Sequence, residues 1–359
     1  AQIYQRYPHQ LSGGQRQRVV ISAALACQPS VMILDEPTTA LDTTTEMQVL
    51  KLVKELRKEI NTAIIYITHD LTLTNYMCDR VLVMQNGEIV EHGPASSVFE
   101  FPKEKYTQDL VSAIPRVDRP PRHKKSYESN NDRVLLEVKE LSFSFRPAWS
   151  ASSLFKKREF SRAVNQVNFS ICPGETLGLV GESGSGKSTI ANLLVGLLAP
   201  SMGKILLEGK PLPLLAKKRT FEQRRRVQMI FQDPLSSLNP RQRIETIITQ
   251  PLRAFYGISS RDARDQAAKL LEDLELPLEF LEQFPRQLSG GQQQRVAIAR
   301  AFAAQPDLIL CDEITSALDV SVQAHVLSLL AGIQRKTGTA CLFISHDLGV
   351  IREVAHRCV

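Results

Sequence analysis

The apolar positions of this chain fall into short uninterrupted runs that alternate with stretches of helical periodicity. The runs, which predict strands buried on both faces, lie at residues 31–34, 63–68, 176–180, 227–232 and 308–311. Between the first two runs, apolar residues at spacings of 3 and 4 predict a helix with one apolar face; they are Met47, Leu50, Val53, Leu56 and Ile60. Strands and helices in alternation indicate an α/β fold of three layers.

Further elements follow from turn residues and from alternation. Residues 16–27 contain no proline or glycine, which predicts a helix that ends before Pro29. Asn86 and Gly87 predict the turn of a hairpin between two apolar runs. Other segments that we interpret from the same signals are strands at 134–138 and 141–145, a polar insertion around 150–162, a hairpin at 203–211 and a helical insertion at 241–284.

Four motifs occur twice, always 277 residues apart. The pairs are Leu11-Ser-Gly-Gly-Gln15 with Leu288-Ser-Gly-Gly-Gln292, Asp35-Glu36 with Asp312-Glu313, Leu41-Asp42 with Leu318-Asp319, and His69-Asp70-Leu71 with His346-Asp347-Leu348. One ungapped register predicts two copies of one domain type, which we place at 1–114 and 134–359, with a proline-broken, charged linker at 115–133. The same offset puts the counterpart of Val134 upstream of Ala1, so we expect the first copy to lack its beginning. The sequence stops at Val359, before the counterpart of the hairpin that follows His69, so we expect the second copy to lack that hairpin.

Composition narrows the class of protein. An apolar fraction of 43 % with 23 % charged residues is typical of a globular protein, and a net charge of +6 is modest for 359 residues. No apolar run approaches the ~18 to 20 residues that span a bilayer, so any membrane role is expected to require a partner. Six cysteines without C-x-x-C spacing indicate reduced thiols of a cytosolic protein, with Cys311 and Cys341 in apolar strands.

A glycine-rich segment between a predicted strand and a predicted helix carries the strongest chemical signal. Its spacing, G-x-x-x-x-G-K-S, lets backbone N–H groups face an anion at the positive end of the helix. Lys187 would reach the outer phosphates and Ser188 would ligate Mg²⁺. The predicted nucleotide-binding residues are Gly181, Glu182, Ser183, Gly184, Ser185, Gly186, Lys187, Ser188 and Thr189.

Four polar residues at the ends of predicted strands supply the rest of a phosphoryl-transfer site. Asp312 is suited to hold Mg²⁺ through water, and the adjacent Glu313 to orient or deprotonate an attacking water. His346 can donate to the γ-phosphate, and Gln232 can join the metal and water shell. A single histidine at the end of a strand is more often structural, so the prediction of a phosphoryl-transfer site rests on all four residues together.

Along the second copy the order is phosphate loop, Gln232, Leu-Ser-Gly-Gly-Gln, Asp-Glu, Leu-Asp and His. In this order the motifs resemble those of the ATP-binding cassette (ABC) ATPases, whose signature is Leu-Ser-Gly-Gly-Gln. The resemblance implies a P-loop NTPase fold with a three-layer, mixed-sheet core and a helical signature subdomain, ATP and Mg²⁺ as cofactors, and Phe145 stacked on adenine. It also implies that each signature completes the other domain's site. Ser12, Gly13, Gly14, Gln15 and Asp42 would serve the phosphate loop above, while the second site would combine Asp35, Glu36 and His69 with Ser289, Gly290, Gly291, Gln292 and Asp319.

A closer resemblance is to the ATPases of bacterial oligopeptide and dipeptide importers, in their fused, glutathione-type form; residues 231–241, 318–323 and 98–115 carry it. Departures are Glu104-Lys105 for the usual His-Pro and Ile314 where the first copy has Pro37. The resemblance implies a peripheral protein on the cytoplasmic face of the inner membrane, whose two cassettes pair within one chain. It also implies two transmembrane permease subunits, bound through residues 232–241 and the helices after them, and a periplasmic binding protein as an indirect partner. No direct nucleic-acid contact is expected. A soluble tandem ATPase acting on ribosomes or DNA, and nickel or sugar conjugates as cargo, remain alternatives.

Overall fold

The computed structural model describes residues 7–38, 41, 43–60, 62–114, 133–145 and 161–359. These divide into two compact units, one formed by the described part of residues 1–116 together with 317–324 and the other by the rest. Apart from Arg133, the predicted linker lies outside the described residues, as does most of the predicted polar insertion. Within the described residues, no helix combines the length and the apolar character needed to cross a membrane.

The first unit contains a parallel strand pair and an antiparallel hairpin. Its elements are α1 (Gly13–Leu25), β1 (Val31–Asp35), α2 (Thr43–Ile60), β2 (Ala63–Ile67), α3 (Leu71–Met77), β3 (Arg80–Gln85), β4 (Glu88–Pro94), α4 (Ala95–Glu100) and α5 (Lys105–Ala113). β1 pairs in parallel with β2, and β3 pairs with β4 across Asn86 and Gly87, both at positive φ. The predicted helices, strands and Asn-Gly hairpin are confirmed.

The prediction that β1 and β2 are buried on both faces is wrong. Met32 and Leu34 pack against side chains of α1 and α2. Four residues on the opposite side, which we call the open face, are about half exposed: Val31 53 %, Ile33 64 %, Ile65 52 % and Ile67 47 %. The reason is geometric, because within the described residues this sheet has two strands and its helices cover one face.

The rest of the described chain is built around two sheets. Its elements are β5 (Leu136–Phe145), β6 (Ser161–Ile171), β7 (Thr176–Val180), α6 (Lys187–Val195), β8 (Met202–Leu207), β9 (Lys210–Pro211), α7 (Phe221–Arg226), β10 (Val227–Ile230), α8 (Pro234–Ser237), α9 (Ile244–Tyr256), α10 (Ser260–Asp273), α11 (Gly290–Ala303), β11 (Leu308–Asp312), α12 (Val320–Thr337), β12 (Ala340–Ser345), α13 (Leu348–Val354) and β13 (Arg357–Cys358). The parallel sheet has the order β10-β11-β12-β7-β13, and the antiparallel sheet β6-β5-β8-β9.

A single hydrophobic core joins α6 to both of these sheets. Leu193 and Leu194 of α6 are fully buried with Leu177 of the parallel sheet and Leu136 of the antiparallel sheet. Cys311 and Cys341 lie in this parallel sheet as buried free thiols, their Sγ atoms 3.7 Å apart, as predicted for small core residues. The core therefore fixes the C-terminal ends of β7, β11 and β12 next to one another.

Three details of the second unit differ from the predicted elements. The strands predicted at 134–138 and 141–145 form one strand, whose pairing shifts register beside Glu140, a residue at φ +51°. The strand predicted at 227–232 ends at Ile230, which leaves Gln232 in a loop. The helical region predicted at 241–284 is divided by Gly257, which ends α9 at φ +63° as a left-handed cap.

In the first unit, one carboxylate of β4 holds the backbone that leads into α5. Glu91 accepts hydrogen bonds from Lys103 N through Oε1 at 3.0 Å and from Glu104 N through Oε2 at 3.2 Å. These bonds, the one from Lys103 above all, lower the pKa of Glu91 below its ordinary value. The ionised form is therefore more stable in the folded unit than in the unfolded chain.

We expect Glu91→Gln to lower the thermal stability of the protein at pH 7. The difference from the unmutated protein should begin to shrink as the pH falls below about 4.3, the usual pKa of glutamate, and should be lost below the lowered pKa of the folded state, where Glu91 is protonated in both states. Thermal unfolding followed between pH 3 and 7 checks this. Glu88→Gln, at an exposed position of the same strand, is the control; equal effects of the two variants at pH 7 would contradict the assignment.

Candidate functional site

The glycine-rich segment forms a tight loop between β7 and α6. Gly184 and Gly186 have φ values of +81° and +102°, and Gly186 caps the N-terminus of α6. A Cβ atom on Gly186 would lie 2.2 Å from the carbonyl oxygen of Ala163, so only glycine fits. Ser188 and Thr189 lie in the first turn of α6, whose free N–H groups and positive end face the loop. This geometry is suited to an anion.

Lys187 places a buried positive charge at this loop. Its side chain is 5 % exposed, and its Nζ donates to the carbonyl oxygens of Gly181 at 2.7 Å and Glu182 at 2.8 Å. Nζ also lies 3.7 Å from Oε1 of Glu313. Because the ammonium is anchored on three sides, it is held where an anion in the loop would meet it.

Ser188 and Asp312 bring a hydroxyl and a carboxylate together beside the loop. Ser188 Oγ donates to Oδ1 of Asp312 at 2.9 Å, and Asp312 is buried at the end of β11. Burial raises the pKa of Asp312, which a nearby cation would reverse. Hydroxyl and carboxylate oxygens suit Mg²⁺, which keeps water and phosphate oxygens as its other ligands. Within the described residues, no cluster of three or more His, Cys, Asp or Glu could hold a metal ion.

Glu313 is the point at which the other predicted residues meet. Its Oε2 accepts a hydrogen bond from Nε2 of Gln232 at 3.1 Å, and its Oε1 lies 3.4 Å from Nδ1 of His346. The interaction with His346 lowers the pKa of Glu313 and raises that of His346. An ionised carboxylate in this position can orient a water molecule or accept its proton.

The backbone also directs Glu313 toward this point. Its φ is +47°, an unusual value for a residue other than glycine, and its N–H donates to the carbonyl oxygen of Ile344 at 3.0 Å. Glu313 therefore leaves β11 in a strained conformation that the neighbouring strand β12 holds in place.

Sequence reasoning missed two residues that position His346. Asp347 accepts hydrogen bonds from the first N–H groups of α13, including Gly349 N at 2.7 Å, and its own N–H donates to Ser345 Oγ at 3.0 Å. In the first unit, Asp70 N donates to Thr68 Oγ1 at 2.9 Å in the same way. The repeated His-Asp-Leu motif was the signal that could have found this turn.

Phe145, the predicted adenine platform, lies at the end of β5. Its ring is 48 % exposed and packs edge to face on Phe143, with ring centroids 4.9 Å apart. The described contacts do not join Phe145 to the phosphate loop. Its stacking on adenine stays a prediction.

Both signature motifs have the same local structure. Ser12 caps α1 and Ser289 caps α11, each accepting a hydrogen bond at 3.4 Å from the backbone of the motif's glutamine, whose side chain accepts one in return. Gly13 and Gly14 open α1, as Gly290 and Gly291 open α11. A Cβ atom on Gly14 would lie 2.2 Å from Cγ2 of Thr45. Each motif thus presents a helix N-terminus.

The predicted half-site in the first unit repeats the contact seen at Glu313. Nδ1 of His69 lies 3.0 Å from Oε1 of Glu36, which has φ +44° and follows Asp35 at the end of β1. Asp319 accepts a hydrogen bond from Val322 N at 3.0 Å, within its own turn. Asp42 lies outside the described residues.

Comparisons with known proteins agree with this geometry. The sequence model of the ABC transporter family matches residues 1–39 and 164–316. The chain is 42 % identical over 375 residues to the glutathione import ATP-binding protein GsiA of Escherichia coli strain K12, and 43 % identical over 378 residues to that of Salmonella typhimurium. Each alignment covers 99 % of this chain and 60 % of the relative, so the chain spans less than two thirds of these proteins.

Solved structures show the same fold. The ATP-binding cassette MJ0796, in a dimeric post-hydrolysis state bound to ADP and Pi, has a TM-score of 0.52 and 31 % identity, covering 60 % of this chain and 89 % of that one. A second dimeric structure of MJ0796 gives the same score and identity over 61 % of this chain and 91 % of the other. These matches confirm the predicted P-loop NTPase fold of the ABC type, and with the family match over more than half of its residues they show that the chain belongs to the ABC transporter family.

Proposed function

We propose that this chain binds and hydrolyses ATP and that it energises a bacterial importer of peptides or peptide-like solutes. The observation that carries the proposal is the set of contacts around Glu313, which interacts with Lys187, Gln232 and His346 next to the Ser188–Asp312 pair. Phosphoryl transfer depends on positioning and on charge neutralisation, and this arrangement supplies both.

Each group has a separate task in this mechanism. Lys187 and the loop N–H groups bind the β- and γ-phosphates, while Ser188 and Asp312 would hold Mg²⁺, with Gln232 in its outer shell. When bound, the metal ion neutralises charge that develops on the phosphate oxygens. Glu313 orients the attacking water and accepts its proton, and His346 donates a hydrogen bond toward the γ-phosphate.

We also propose that residues 1–114 belong to a first cassette and residues 134–359 to a second. Strand pairing supports this: Val31 pairs with Ala63 as Leu308 pairs with Ala340, both shifted by 277 residues. The same shift relates the open face to four residues buried in the core with α6, namely Leu308, Leu310, Leu342 and Ile344. The open face thus corresponds to a surface that a complete cassette covers.

On this proposal, the two cassettes complete each other's sites. Ser12, Gly13, Gly14, Gln15 and Asp42 would act on the nucleotide at Lys187, adding the N-terminus of α1 to the charges around the phosphates. Ser289, Gly290, Gly291, Gln292 and Asp319 would serve the half-site formed by Asp35, Glu36 and His69.

The proposed partners are two transmembrane permease subunits, with a periplasmic binding protein acting through them, at the cytoplasmic face of the inner membrane. The names of the GsiA relatives, which specify glutathione import, favour a peptide-like cargo over nickel or sugar conjugates. The competing function is that of a soluble tandem ATPase on ribosomes or DNA. A short linker region with three prolines and six Lys or Arg residues argues against it, since those proteins usually join their cassettes by a long charged helix.

Two substitutions separate the binding role from the catalytic role. Lys187→Ala should weaken ATP binding about 10- to 100-fold through loss of a charge-assisted contact. Glu313→Gln should leave the ATP dissociation constant within about twofold and lower the hydrolysis rate about 100-fold or more, as expected on loss of a general base. Equilibrium titration and phosphate release measure the two effects. Lys204→Ala, at an exposed position of β8, is the control; equal loss of binding in both test variants would refute these roles.

Nucleotide stoichiometry tests the division of the sites. The 359 residues contain one G-x-x-x-x-G-K-S segment, so we expect one ATP per chain. Calorimetric titration of the Glu313→Gln variant measures this number without turnover. Two equivalent sites per chain would show that the half-site of the first unit binds ATP on its own, contrary to the proposal.

The membrane partner can be tested by co-purification from the native host in mild detergent. We expect integral membrane proteins to remain with the intact protein through a salt wash. Recovery of ribosomes without any integral membrane protein would instead favour the competing function.

A further inference from the structure

The helix that begins with the second signature motif carries a half-buried arginine in its last turn. Arg300 lies ten residues after Gly290 in α11, about 15 Å along the helix axis. Burial lowers the pKa of its guanidinium. A buried charge needs polar partners, and those of Arg300 are oxygen atoms of one serine.

These oxygen atoms belong to Ser237, the last residue of α8. Nη1 of Arg300 donates to the carbonyl oxygen of Ser237 at 2.5 Å, and Nη2 donates to its Oγ at 3.4 Å. The end of a helix leaves such carbonyl oxygens without an intrahelical partner, and a bond from a guanidinium is roughly twice as strong as a neutral one. Arg300 therefore fixes the C-terminal end of α8 to α11.

The other end of α8 adjoins the candidate catalytic site. Asp233 caps α8 by accepting a hydrogen bond from Leu235 N at 2.9 Å, and the preceding residue, Gln232, donates to Glu313 at 3.1 Å. Because α8 has four residues, only a short length of chain lies between Ser237, which contacts Arg300, and Gln232, which contacts Glu313. The hydrogen bonds from Arg300 to Ser237 and the backbone of α8 therefore connect α11 to Gln232.

The helix of the first signature motif has a different residue at this position. The residue 277 positions before Arg300 is Ala23, which is exposed on α1 and has no donor to reach another segment. Arg295 of α11 corresponds to Arg18, so both helices carry an arginine at that position, whereas α11 alone of the two carries one at the position of Arg300.

We propose that Arg300 is a positioning residue that holds α8, and with it the amide of Gln232, in place against Glu313. The inference rests on the proposed ATPase function. It adds a physical connection between the signature helix and the metal and water shell of the same cassette, and it makes Arg300 act through Gln232 rather than on the nucleotide.

A double-mutant cycle tests this connection in the full-length protein. Arg300→Met should lower kcat for ATP hydrolysis about tenfold, or about 1.4 kcal/mol, with the dissociation constant for ATP within about twofold. In a Gln232→Ala background the same change should lower kcat by less than about twofold, since the residue that it positions is already absent. Losses that multiply in the double variant, an unchanged kcat, or a loss of affinity alone would overturn the proposal.

Hydrogen exchange provides a second readout that does not depend on turnover. Arg300→Lys retains the charge but replaces the two Nη donors that reach Ser237 O and Oγ with a single nitrogen, so amides of residues 233–238 should exchange faster while those of β11 and β12 do not change. Arg295→Met is the matched control, because Arg295 donates to the carbonyl oxygens of Leu274 and Glu275 instead. Unchanged exchange at 233–238 in Arg300→Lys, or an equal change in Arg295→Met, would overturn the inference. If the unmutated protein has no ATPase activity, the proposed function is refuted. Hydrogen exchange then decides whether Arg300 holds α8 in place.

Discussion

The candidate site depends on one ionised carboxylate, that of Glu313, at the C-terminal edge of the parallel sheet. A lysine from the phosphate loop, an amide that follows β10 and a histidine that follows β12 all interact with it. These groups come from distant parts of the sequence, and parallel pairing brings them together because parallel strands end at the same edge of a sheet. A partly buried carboxylate is costly without such partners, so these three groups also stabilise the ionised form of Glu313.

The candidate residues of the site could be selected from the sequence because each belongs to a local pattern. Glycine spacing between a strand and a helix is enough to predict the loop that contains Lys187, and each strand-terminal polar residue is adjacent to its apolar run. The positive φ of Glu313 and the bond from its N–H to Ile344 could not be predicted, since they arise from the neighbouring strand. The contact between Arg300 and Ser237 joins segments 63 residues apart and leaves no periodic signal.

Burial in the first unit shows the same limit. Ile33 and Ile65 belong to apolar runs like those of the second unit, yet they are exposed, because burial depends on the neighbouring elements of the sheet rather than on the strand itself. The contact between Glu36 and His69 is nevertheless present, at 3.0 Å. Local strand pairing and turn geometry are therefore sufficient to form the carboxylate–histidine contact, whereas the phosphate loop depends on a core that surrounds α6.

On the proposed function, the loop, Ser188 and Asp312 together hold a metal–nucleotide complex beside Glu313. A crystal structure of the Glu313→Gln variant grown with ATP and Mn²⁺, with anomalous diffraction data collected near the manganese edge, tests it most directly. We predict one anomalous peak per phosphate loop, adjacent to Ser188 Oγ and Asp312, with the γ-phosphate next to residue 313. A metal peak elsewhere, or a nucleotide whose phosphates lie outside the loop, would contradict the account.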